Sequence, residues 1–141
     1  MYPFRKLSVW RRAHALALSV HEVTERNDRG RYVSLIGQTR KASCSIAATI
    51  VTGSAQPTSP QFAAYLTTAL TSARELDYHV LLARDLGVIP LADYTRLEAR
   101  IDQVCRMLAV LRKRVLEGSG HSRRVRRIQV SPPSDHLLPY D

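Results

Sequence analysis

With 141 residues, 45% of them hydrophobic and 23% charged, the chain has the size of one domain and enough apolar content to bury a core, which excludes a multidomain assembly and a wholly disordered protein. Its formal net charge of +9 and pI of about 10.3 point to polyanions as partners, nucleic acid first and an anionic membrane second. No window approaches the roughly 18 uninterrupted apolar residues of a membrane span, and Arg5 and Lys6 are followed by no leader-like apolar run, so a cytoplasmic protein without a membrane partner is expected.

The first apolar series, Val9, Ala13, Leu16, Val20 and Val23, steps by four and three, while Ser8, Arg12, Ser19, Glu22 and Arg26 fill the opposite face. That spacing predicts an amphipathic helix over about residues 4–26, stopped by the turn-forming run Asn27-Asp28-Arg29-Gly30. A second helix is expected over 31–53, with Leu35, Thr39, Ala42, Ile46 and Ile50 on one face. Its middle, Ala42 to Ala48, is rich in small residues that permit close approach of a neighbour, and Gly53 reads as its C′ residue.

Thr58 and Gln61 stand at the capping-box offset with Pro60 between them, so a third helix is expected over 59–86, carrying Phe62, Leu66, Ala69, Ala73, Leu76, Val80 and Ala83 until Gly87. Ile89-Pro90 then opens a fourth over 90–117, with Tyr94, Leu97, Ile101, Val104, Leu108, Leu111 and Val115, closed by Gly118 and Gly120. Four amphipathic helices joined by short loops bury their stripes as an all-α, antiparallel up-down-up-down four-helix bundle. Residues 118–141 show neither helical nor strand period and read as a flexible, basic, proline-containing tail outside the bundle of residues 1–117.

No Ser/His/Asp order, phosphate-cradling glycine loop or paired-carboxylate constellation is present, so neither catalysis nor a cofactor is expected. His14 and His21 share a helix face but lack the carboxylates a metal site in a bundle requires. Cys44 and Cys105 have no metal-binding spacing and read as reduced core thiols. Trp10, Tyr65, Tyr78 and Tyr94 are assigned to the core or a subunit interface rather than to base stacking. Arg40 and Glu75, each beside an apolar stripe on adjacent helices, are candidates for a structural ion pair.

The cations fall into four groups: Arg5, Lys6, Arg11 and Arg12; Arg40 and Lys41; Arg112, Lys113 and Arg114; and Arg123, Arg124, Arg126 and Arg127. These are the candidate nucleic-acid-binding residues, and with no groove-reading motif among them, binding is expected to follow charge more than sequence. Along the chain the positive excess lies in residues 1–59, where nine Lys or Arg face three acids.

The run Leu7-x-Val9-Trp10, then Gln38-x-Arg40-Lys41-Ala42-x-x-Ser45-Ile46, then Ser72-x-x-Glu75-Leu76 and Asp85-Leu86-Gly87 resembles a family of four-helix bundles first noted in the intervening sequences of bacterial 23S ribosomal RNA genes. The likeness spans residues 4 to 115. It implies a cyclic homopentamer, in which a ring of five chains multiplies the +9 to +45, and kinship to accessory proteins of diversity-generating retroelements, with nucleic acid and a reverse transcriptase as partners. One departure stands out: where the family pattern continues Pro-x-Asn-Ile-Ala-Glu-Gly, this chain reads Ala47-Ala48-Thr49-Ile50-Val51-Thr52-Gly53. A protein–protein adaptor whose charge only keeps it soluble is the alternative reading.

Overall fold

Each of the four apolar stripes winds into a helix in the computed structural model, which describes residues 2–128 and the side chains of residues 2–118. The helices are α1 (Ser8–Asn27), α2 (Val33–Ser54), α3 (Ser59–Asp85) and α4 (Leu91–Ile128), preceded by a single 3-10 turn at Phe4–Lys6. Every residue assigned to the stripes of α1, α3 and α4 is buried, and of the α2 stripe only Leu35 is partly exposed. The 3.6-residue period therefore locates the core.

The helix backbones adjoin α1 to α2, α2 to α3, α3 to α4 and α4 back to α1, and among the described residues neither diagonal pair approaches as closely. Cross-helix partners fix the directions. Arg26 meets Asp93 while Ser19 meets Arg100. Ser45 meets Ser72 while Gly53 meets Phe62, and Thr67 meets Arg112 while Arg84 lies over Tyr94. In each pair of helices one residue number falls as the other rises, so sequence neighbours run antiparallel, as loops of a few residues require.

The ends are set by local chemistry. α1 starts at Ser8 and not at Phe4, because Leu7 adopts extended backbone (φ −79°, ψ 121°) and drops its fully buried side chain into the core. α2 starts at Val33, after Tyr32, the one non-glycine among the described residues in the left-handed region (φ 55°). Thr58 caps α3, its Oγ1 accepting from the Gln61 N–H at 3.3 Å and donating to the Gln61 side chain at 2.8 Å. At the far end Gly87 (φ 73°) completes a Schellman turn, with Val88 N–H donating to Ala83 O at 2.8 Å and Gly87 N–H to Arg84 O at 3.0 Å.

α4 is longer than its stripe predicts. Its backbone passes Gly118 and Gly120 and reaches Ile128, because a glycine in a helix costs only about 1 kcal/mol and does not forbid continuation. The expected tail is thus helical up to Ile128, and residues 129–141 lie outside the described residues.

The seam between α2 and α3 is tight. Gly53 lies inside α2 rather than at its C′ position, and a Cβ there would stand 2.7 Å from the Tyr65 Cβ and 3.2 Å from the Phe62 ring. Higher on the same seam Ser45 Oγ and Ser72 Oγ are 3.0 Å apart, flanked by the buried Ala42, Ala69 and Ala73. Gly53→Ala should therefore destabilise the chain by about 1–3 kcal/mol through overpacking. By contrast Gly37→Ala, at an exposed α2 position where a Cβ meets nothing within 4 Å, should stabilise it by about 0.5–1 kcal/mol; urea denaturation of the two variants reads the opposite signs.

Candidate nucleic-acid interface

The antiparallel register redistributes the charge. One half of the bundle gathers the N-terminal part of α1, the C-terminal part of α2, the N-terminal part of α3 and α4 from residue 103. In residues 2–21, 42–73 and 103–118 it holds Arg5, Lys6, Arg11, Arg12, Arg106, Arg112, Lys113 and Arg114 against the single acid Glu117, with Arg106 paired at 3.1 Å to Asp102 just beyond the divide. The other half, residues 22–41 and 74–102, balances nine Lys or Arg with nine Asp or Glu. The excess that lies early in the sequence becomes an excess at one end of the fold.

Within that end the cations sit on α1, the turn before it, and α4. Residues 42–73 of α2 and α3 carry no charged side chain, and their outward positions include Cys44, Ala48, Thr52, Ala64, Thr68 and Thr71. Arg5, Lys6, Arg11, Arg12, Arg112, Lys113 and Arg114 are all exposed. Arg112 Nε donates to Thr67 Oγ1 at 2.7 Å and Lys113 stands 3.9 Å from Glu117. Lys6, Arg12 and Arg114 join no ion pair among the described residues.

The first and third cation groups thus lie at the same end of the bundle, and the second does not join them. Arg40 and Lys41 lie in the balanced half, where Arg40 Nε donates to Thr24 Oγ1 at 2.8 Å, and Thr24 in turn donates to Val20 O at 2.7 Å. Among the described residues no ion pair joins Arg40 to Glu75, which is exposed. The partner of Arg40 lies on α1 because its guanidinium reaches across the α1–α2 seam, not the α2–α3 one. The side chains of Arg123, Arg124, Arg126 and Arg127 lie outside the described ones.

Two further assignments change. Cys44 is exposed, not in the core, whereas Cys105 is buried and its thiol pushed up by that burial, only partly offset by the nearby Arg74 charge. Of the aromatics, Tyr94 is buried, Tyr65 is partly buried and Tyr78 is 60% exposed. Trp10 is half-buried and its ring lies nearly parallel to that of exposed His14, with centroids 5.1 Å apart and planes 7° from parallel. Among the described residues no three His, Cys, Asp or Glu side chains gather as a metal site would need, and no helix is long and apolar enough to cross a membrane.

The balanced half has a polar centre that sequence periodicity does not reveal. Asp93, in the first turn of α4, is buried and accepts from Arg26 Nη2 at 2.8 Å, from Asn27 Nδ2 at 3.2 Å and from Arg96. An acid in the first turn of a helix is the signal the sequence offers. A cleft of about 360 Å³ opens at the same end, lined by residues that include Arg29, Arg31, Tyr32 and Pro90. Burial raises the Asp93 carboxyl, but the bonds from Arg96 and Asn27 and the charges of Arg26 and Arg96 outweigh it and hold the group below its usual value.

A carboxyl lowered by folding contributes its full stability above the ordinary Asp range, near pH 4, and loses it as the pH falls through its lowered folded value. Asp93→Ala should cost about 1–2 kcal/mol at neutral pH, since both arginines stay half in water and are screened. The deficit against the unmodified chain should close in acid, as read by urea denaturation across pH.

In comparisons with known proteins, a family model described as 23S rRNA-intervening sequence protein matches residues 5–110. No curated protein matches the chain.

Proposed function

Because the chain belongs to the 23S rRNA-intervening sequence protein family, we propose that it is a non-enzymatic, cytoplasmic, homo-oligomeric bundle that binds RNA or DNA through the phosphates. The observation that carries the reading is the segregation of charge: eight Lys or Arg against one acid in one half and an even balance in the other. Clustered cations of one sign displace condensed counterions from a polynucleotide, and that release drives binding without reading sequence. Exposed and outside any ion pair among the described residues, Lys6, Arg12 and Arg114 are the first phosphate ligands, with Arg5, Arg11, Arg112 and Lys113 beside them.

The uncharged outward face of residues 42–73 fits contact between copies of the chain, since no desolvated charge opposes its burial. A pentameric ring is the form the family resemblance implies, and a reverse transcriptase is the protein partner it implies. The same uncharged face supports the second reading, an adaptor that docks another protein there and uses its charge only to stay dissolved.

Fluorescence anisotropy of labelled RNA and duplex DNA, taken between about 50 and 200 mM salt, separates the two. The first reading expects affinity to fall steeply with salt. It also expects Arg12→Ala with Arg114→Ala to lower the salt slope by about 0.9 for each phosphate no longer neutralised, while Lys41→Ala leaves it unchanged. A chain ended at Glu117 reads the share of the Arg123–Arg127 cluster. Absence of saturable binding at low salt would leave the adaptor reading in place.

A further inference from the structure

We propose that the ring row Phe4, Trp10 and His14 is a stacking platform for unpaired bases, so that the cationic half prefers single-stranded nucleic acid to duplex. The inference rests on the polyanion reading and adds a second kind of contact to it. Residues 10 and 14 are neighbours on one face of α1 by their i, i+4 spacing. The Phe4 ring meets Trp10 edge-on at 4.8 Å and 70°, and the Arg5 guanidinium lies 5.4 Å over the Phe4 ring.

Trp10 is held in place by its packing on the core, whereas the outer member of the row, His14, is exposed. One end of the row is therefore a guanidinium and the other an open imidazole, both flat groups on which a base stacks. A core aromatic cluster would instead be sealed by apolar side chains. Leu18, one turn further along α1 and 60% exposed, extends the apolar strip on which a sugar or base edge can rest.

Cations flank the row. Arg11 Nη1 donates to the Arg5 carbonyl at 3.1 Å, which ties the two arginines together at the start of α1, and Lys6 follows in the same turn. An unpaired strand can place phosphates on these side chains and turn a base onto His14. A duplex keeps its bases stacked inside and offers the row only its phosphates.

Trp10 is the sole tryptophan, so its intrinsic fluorescence reports on the row. Titration of the full chain with an oligouridine should quench Trp10 emission, and a duplex of equal length at matched saturation should not. His14→Ala, at an exposed position, should weaken the oligouridine about tenfold and leave the duplex affinity unchanged. Equal affinity for both polymers without quenching, or equal effects of His14→Ala on both, would overturn the platform while the salt-dependent binding still stood. Failure of both polymers to bind would overturn both readings.

Discussion

Between α2 and α3 there is no room for a methyl group at Gly53, and the rest of the bundle is arranged around that closeness. Close approach of the two helices is eased by small side chains, Ala42, Ser45, Ala69, Ser72 and Ala73, and at Gly53 by the absence of one, which admits Phe62 and Tyr65. Residues 42–73, which form this seam, are also the stretch without a charged side chain. The cations of that half are consequently all carried by α1, the turn before it, and α4, and they lie at one end of the bundle because antiparallel packing sets the start of α1 beside the end of α4.

The opposite half is held differently. There the α1–α4 seam is closed by a buried carboxylate, Asp93, shared among Arg26, Arg96 and Asn27, and the α1–α2 seam by Arg40 on Thr24. In this half the charges balance in number, and Glu22, Asp85 and Asp93 are held in ion pairs by Arg26, Arg84 and Arg96. The cationic half has one acid for eight cations, and of these Arg106 is paired with Asp102 just across the divide and Lys113 with Glu117.

Much of the fold is legible in the sequence, because a 3.6-residue apolar period states which face of a helix turns inward, and it does so for every stripe residue of α1, α3 and α4. Period says nothing of what lies opposite. Hence it pairs Arg40 with Glu75 on α3 when the partner is Thr24 on α1, and it sends Cys44 to the core although its side of α2 faces out. Gly53 reads as a helix terminator because glycine commonly is one, whereas its role here is to admit Tyr65 and Phe62. The four cation groups are visible in the sequence, but their meeting at one end depends on helix register, which no local pattern carries. Two of them share one end of the bundle, Arg40 and Lys41 lie in the balanced half, and the side chains of Arg123–Arg127 fall outside the described ones.

The chain supplies its own reporters of that convergence, since its three lysines are Lys6 and Lys113 in the cationic half and Lys41 in the balanced half, all of them exposed. The most direct measurement is lysine acetylation with and without bound RNA, read residue by residue by mass spectrometry. Protection of Lys6 and Lys113 with Lys41 unchanged is the result the charge-segregated interface predicts; protection of Lys41 to the same degree, or of none of the three while RNA is bound, would contradict it.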